Sequence, residues 1–152
     1  MHIHYGARFR MLHSCADQKM SSALAQMDLT AAQGHIVGYI ARAAHPPCAR
    51  DLEDYFQLSH PTVSGLLNRL EKKEFIEFRP DPEDRRCKRI YLLPKGVQCH
   101  EMIIGSIQKI EQEIVTGFSE EEKAIFSRLL SRAICNLGGN VCCQNNKEEP
   151  NE

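Results

Sequence analysis

The residues best placed to do chemistry lie between Ser59 and Lys88. In the segment SHPTVSGLLNRLEKK, Val63, Leu66, Leu67 and Leu70 recur at i, i+3, i+4 and i+7, the spacing of a buried helix face. Pro61, Gly65, Asn68 and Lys72 then fall on the opposite side, flanked by Thr62, Ser64 and Arg69. That side is small and polar. It offers donors and acceptors for base edges and phosphate oxygens, and no bulky apolar group that would block a major groove. Ser59 stands at the N-cap, and His60 beside it is near enough to contact a phosphate. A solvated face of an ordinary helix would show the same polarity, so a second feature is needed.

That feature follows directly. Two strand-like runs, Phe75 to Arg79 and Cys87 to Leu92, flank the connection PDPEDRR, whose prolines and charges cannot extend a sheet. Arg85 and Arg86 fall near its end, with Arg79, Lys88 and Arg89 on its stems. A basic loop beside a polar helix suits a minor groove, where narrow geometry concentrates negative potential and attracts arginine. Asp84 is placed to pair with Arg86 and hold it extended, which lowers the entropy lost on insertion. The competing reading is that Asp81, Glu83, Asp84, Arg85 and Arg86 neutralise one another in water.

The charge distribution agrees with the first reading. The 152-residue chain carries a formal net charge of −1, which argues against an indiscriminate nucleic-acid coat protein. Yet Ser59 to Gly96 holds nine basic and six acidic residues, while Glu111 to the end holds four basic and eight acidic. An enzyme finds little support, since there is no Gly-rich phosphate loop, no GxSxG and no pair of carboxylates on facing elements. No HExxH or zinc-spaced Cys/His pair is present, so neither a metal nor a cofactor is expected. The odd set of cysteines, Cys15, Cys48, Cys87, Cys99, Cys135, Cys142 and Cys143, reads as reduced thiols. With no apolar run near the roughly 18 residues needed to span a bilayer, the expected setting is the cytoplasm.

The elements that must position these groups are four helices, a hairpin and two more helices. A first helix fits about residues 5–26. Thr30 and Gln33 form a capping box opening a second, which His45-Pro46-Pro47 ends. A short third helix, about residues 50–57, is expected to bury Leu52, Tyr55 and Phe56, and Ser59 to cap the fourth. After the hairpin, Pro94 and Gly96 lead into a long helix with Ile103, Ile107, Ile110 and Ile114 at 4-3-4 spacing, the seam of a helix packed along another. Ser119 and Glu122 cap a last helix whose apolar face includes Phe126, Leu129, Leu130, Ala133 and Leu137, and Gly138-Gly139 stops it. The fold class is therefore mainly α with a small β-hairpin wing: a winged helix-turn-helix lobe of about residues 30–93, dimerisation helices of about 5–26 and 95–138, and a tail of 140–152.

From Leu52 to Gly96, the runs SHPTVSGLLNRLEKKEFIEF, RPDPEDRR and LLPKG resemble the multiple-antibiotic-resistance regulator (MarR) family. The flanks agree, with MDLT before the second helix and a long helix after the wing. The resemblance implies a two-fold homodimer of intertwined terminal helices, a recognition helix in the major groove and a wing whose Asp84 and Arg86 set an arginine at the minor groove. The chain departs from the family at Pro94, where a capping threonine is usual, and at Glu74, where glycine is common and a changed backbone or modest strain follows.

A two-fold dimer spaces its recognition helices by about 34–36 Å, one turn of duplex, so the operator should be an inverted repeat. The isoleucine seam, together with Phe126, Leu130 and Leu137, is the expected dimer interface. Family members often respond to small lipophilic ligands or to oxidants, so a small-molecule effector is allowed for, and Cys15 and Cys87 are the thiols to test. The expected activity is that of a repressor released by a ligand or oxidant. A winged helix can also serve as a protein-binding module, and this is the alternative.

Overall fold

The computed structural model describes residues 4–82 and 87–139. The elements follow in the order α1 (Tyr5–Ala25), α2 (Ala31–Arg42), α3 (Ala49–Phe56), α4 (His60–Lys72), β1 (Ile76–Pro80), β2 (Lys88–Leu92), α5 (Pro94–Ile114) and α6 (Glu120–Asn136). The expected mainly helical class with one hairpin is thus observed. The chain divides into two compact units, Met1–Glu111 and Gln112–Glu152.

In the first unit the core lies where α1, α2, α3, α4, the hairpin and α5 converge. Leu24, Ile36, Val37, Leu52, Val63, Leu67, Leu70, Phe75, Ile76, Ile90 and Cys99 are enclosed there. Each such aliphatic or aromatic side chain contributes about 1.5–3 kcal/mol by leaving water. Burial also pushes the Cys99 thiol above its ordinary range, because the thiolate would lose hydration. The Thr30 box forms as expected: Gln33 N–H donates to Thr30 Oγ1, and Thr30 N–H donates to Gln33 Oε1. In the second unit, Ser119 N–H donates to Glu122 and Glu122 N–H donates to Ser119 Oγ, while Phe118 and Phe126 meet edge to face.

Three points differ from expectation. Tyr55 is 62 % exposed rather than buried. It lies on the flank of α3, its ring tilted against Tyr39 at 4.5 Å and edge-on to Phe56 at 4.9 Å, so it shields its neighbours from outside. Ser59 occupies the N-cap of α4, but its hydroxyl meets the Thr62 hydroxyl at 2.9 Å and makes no cap bond to the backbone. Pro80 closes β1 opposite Lys88 rather than standing beyond it, and the end of a strand tolerates a missing N–H.

The passage from α4 to the hairpin is set by the backbone. Phe75 N–H donates to Leu70 O and Glu74 N–H to Glu71 O, the paired bonds of a Schellman motif. This puts Glu74 at φ +63°, the left-handed conformation that glycine adopts without a Cβ penalty and other residues only with strain. The departure at Glu74 is therefore a real strain. The turn delivers Phe75 to the core, where Leu93 N–H donates to its carbonyl and Lys95 Nζ lies 4.5 Å above its ring. Pro94 is the first residue of α5, where its missing N–H would be unpaired in any helix. Two residues on, Gly96 leaves no room for a side chain: a Cβ there would sit 2.2 Å from the Phe75 carbonyl oxygen.

Glu74→Gly should stabilise the fold by up to about 1 kcal/mol through relief of this strain. Gly96→Ala should destabilise it by about 1–3 kcal/mol, since backbone must move to admit the methyl. Urea titrations with unchanged slope check both, and equal midpoints for Gly96→Ala and the parent would refute the contact.

Candidate nucleic-acid interface

The helix-turn-helix is α3 and α4 joined through three residues. Gln57 takes the left-handed conformation at φ +53°, Leu58 N–H returns to Glu53 O, and Ser59 is extended before α4 starts. Val63, Leu67 and Leu70 are enclosed and Leu66 is half-buried, so α4 is anchored along the face its periodicity indicates. Pro61, Thr62, Asn68, Arg69 and Lys72 are exposed, and Ser64 and Gly65 are half-exposed. A Cβ at Gly65 would meet nothing within 4 Å, so no packing inside the chain requires glycine there.

The wing is a two-stranded antiparallel ribbon with Ile76 opposite Leu92, Phe78 opposite Ile90 and Arg79 opposite Arg89. Because side chains alternate across a strand, Ile76, Phe78, Ile90 and Leu92 turn to the core and Glu77, Arg79, Arg89 and Tyr91 to the other face. Two arginines directly opposite repel, and each is relieved by a carboxylate. Arg79 donates to Glu77 and lies 4.5 Å over the Tyr91 ring. Arg89 Nε donates to Asp81 at 2.5 Å, its Nη1 donates to Pro46 O at 3.3 Å, and Asp51 lies 4.0 Å away.

Asp81 does not fit the competing reading of loop charges neutralising one another in water, for it is only 6 % exposed. Asp81 N–H donates to Cys87 O just past the last strand pair, which makes Arg89 the diagonal neighbour across the ribbon, a distance long side chains span. This pairing holds the Arg89 guanidinium even more firmly protonated than usual. Arg89 is thereby a fastening of the wing rather than one of its free basic groups. Sequence reasoning missed the pair, because the diagonal becomes visible only once the register is known.

The remaining expected residues fall into distinct places. His60, Ser64, Asn68, Cys87 and Lys88 line one open cleft of about 910 Å³ between α3, α4 and the hairpin. His60 Nδ1 is 2.6 Å from Glu53 on α3, so its ring is already engaged within the chain. Arg79 lies on the ribbon face turned away from the core, apart from these. Asp84, Arg85 and Arg86 lie outside the described residues. Cys15 is exposed on α1. Of the expected dimer contacts, Ile103 belongs to the chain's own core, while Ile107 and Ile110 line an apolar cavity of about 280 Å³ with Met20 and Leu24. Ile114, Phe126 and Leu130 are half-buried, and Leu137, the C-cap of α6, is 91 % exposed. Among the described residues no group of three or more His, Cys, Asp or Glu side chains is arranged to hold a metal, and no helix is long and apolar enough to cross a membrane.

A short helix, a tight turn, a second helix with an open polar face and a β-hairpin wing define a winged helix-turn-helix protein. The MarR family model matches residues 27–86, which run from the approach to α2 into the wing. MepR of Staphylococcus aureus, described as a transcription regulator of the multidrug efflux pump MepA, is 32 % identical with a TM-score of 0.81, over 89 % of this chain and 99 % of MepR. A MepR–DNA complex gives 34 % identity and a TM-score of 0.75, over 88 % of this chain and 99 % of that one. The multiple antibiotic resistance protein MarR of Escherichia coli is 27 % identical over 87 % of this chain and 92 % of its own length. The match to the Bacillus subtilis HTH-type regulator YsmB, 34 % identical, spans 54 % of this chain and 56 % of YsmB. The chain belongs to the MarR family of transcriptional regulators.

Arg89→Ala takes the guanidinium from the enclosed Asp81 carboxylate and should lower the stability of the fold. Removing Asp81 as well should recover part of that loss. A double-mutant cycle of denaturation free energies measures it, and strictly additive losses would show the pair to be uncoupled.

Proposed function

We propose that this regulator binds an inverted-repeat operator as a homodimer, with α4 in the major groove and the wing at the adjacent minor groove. The observation that carries this reading is the exposed face of α4: Pro61, Thr62, Gly65, Asn68, Arg69 and Lys72 present polar groups and open space beside a basic hairpin. Thr62 and Asn68 suit base edges, while Ser59, Arg69 and Lys72 suit phosphates. His60 and Ser64 border this face, and His60 would keep its bond to Glu53 while lying near the backbone. Arg79, Arg85, Arg86 and Lys88 supply positive charge along the wing, with Asp84 orienting Arg86. The solved MepR–DNA complex supports DNA as the partner, and the relatives named above are described as regulators rather than protein-binding modules.

Dimerisation is favoured by apolar surface that the single chain leaves open. Tyr5, Phe9, Met11 and Leu12 are exposed on α1, as are Ile125, Leu129 and Ile134 on α6. Exposed apolar faces mark interaction surfaces, and a second copy would cover these. Repression is the simplest consequence of occupying an operator, and the apolar cavity beside Met20, Leu24 and Ile107 suits a small lipophilic effector that would release it.

Fluorescence anisotropy against duplex from upstream of the chain's own gene, with a scrambled duplex and two salt concentrations, tests the reading. Selective binding that weakens with salt is expected, and equal weak binding to both duplexes would overturn it. Arg86→Ala should weaken binding to every sequence, whereas Asn68→Ala should change the preferred sequence. Gly65→Ala should stabilise the fold by up to about 1 kcal/mol and yet weaken binding, because its methyl fills only the space left for the partner. Unchanged affinity in that variant would remove α4 from the groove.

A further inference from the structure

His60, the first residue of α4, is held from across the turn. Its Nδ1 lies 2.6 Å from Glu53 Oε1 on α3, and the carbonyl of the same Glu53 accepts from Leu58 N–H at 3.1 Å, so one residue fixes both the turn and the ring. The His60 side chain is nevertheless 73 % exposed, and Nε2, on the far side of the imidazole, is open to solvent. The backbone beside it offers a phosphate little. Pro61 has no N–H, and the Thr62 and Val63 N–H groups return to Ser59 O at 3.0 and 3.1 Å. Among the described residues, Arg50, Glu53 and Asp54 on α3 and Lys88 on the hairpin share the cleft with His60, as do the thiols of Cys48 and Cys87. The two cations there are matched by the two carboxylates, so a charge on the ring is not masked by a surplus of either sign.

We propose that His60 contacts a DNA phosphate through Nε2 only as the imidazolium, so that operator binding takes up a proton from water, and that Glu53 is the positioning residue that makes this so. A carboxylate can only accept, so the Nδ1 that faces Glu53 carries the proton of the neutral ring. Nε2 is then a bare lone pair. A phosphate oxygen is likewise only an acceptor, and the two repel. A second proton, at Nε2, converts that repulsion into a charge-assisted hydrogen bond, with Glu53 and the phosphate on opposite sides of one cation. The bond to Glu53 is kept throughout.

Proton uptake rests on the function proposed above and gives it a direction with pH. Because the complex holds more protons than its separate parts, affinity falls as pH rises, and histidine's own range puts the fall between about pH 5 and 8. A phosphate contact carries no sequence information, so the effect is on affinity rather than on the choice of sequence. Replacing Glu53 by glutamine acts in the opposite sense to the loss of an ordinary structural contact. The amide can donate to Nδ1, which frees the neutral ring to carry its proton at Nε2 and to bond the phosphate at high pH.

The test repeats the anisotropy titration of the full chain with duplex from upstream of its own gene at about pH 6 and about pH 8, at constant salt. The parent should bind about tenfold more weakly at the higher pH, the size of one charge-assisted hydrogen bond. His60→Gln should show no such fall, and Glu53→Gln a shallower one, reached by a gain in affinity at the higher pH. In protein isotopically labelled at histidine, ring nitrogen chemical shifts at the higher pH should show His60 as the Nδ1–H tautomer, its signals identified by their absence from His60→Gln. The proposal is overturned by equal parental affinity at the two pH values, by a fall that persists in His60→Gln, by a Glu53→Gln profile as steep as the parent's, or by the Nε2–H tautomer. A protein that fails to select this duplex over the scrambled one at either pH would instead count against the DNA-binding reading, and the ring tautomer would still decide the role of Glu53.

Discussion

A two-stranded ribbon does not hold its own orientation in water, and the geometry of this molecule depends on how its wing is fastened. Three attachments do this from different sides. Ile76, Phe78, Ile90 and Leu92 press one face onto the core. The Ile90 N–H bond to Pro47 O ties β2 to the chain entering α3. Arg89 spans the enclosed Asp81 and the Pro46 carbonyl. The first contributes most of the free energy, because apolar burial scales with area, whereas a hydrogen bond adds only about 0.5–1.5 kcal/mol net. The polar attachments contribute direction, since a buried carboxylate accepts few positions of its partner.

The same distinction explains which features were legible in the sequence. The boxes at Thr30–Gln33 and Ser119–Glu122 link residues three apart, and the face of α4 repeats every three to four, so local spacing specifies them. Glu74 was readable through family resemblance, as a side chain where the turn wants none, and its φ of +63° is that conflict realised. Tyr55 was not, because three residues from the enclosed Leu52 it can lie at the edge of the buried face or just beyond it. Only the ring of Tyr39, supplied by another helix, decides which.

The candidate interface divides along the same line. The exposed groups of α4 were readable from periodicity alone, and the basic residues of the hairpin from composition. Separating the Arg89 that fastens the wing from the Arg79 on the exposed ribbon needed the strand register, which no local spacing supplies.

The wing's fastening also bears on how such a regulator is tuned. A ribbon held by apolar contact alone could slide on the core at little cost, since oily surfaces resist translation weakly compared with their resistance to separation. Adding a carboxylate that is 6 % exposed converts sliding into the loss of a charged hydrogen bond, which costs more than the bond contributes when intact. The position of the hairpin's root is therefore steep in energy near Asp81 and Arg89.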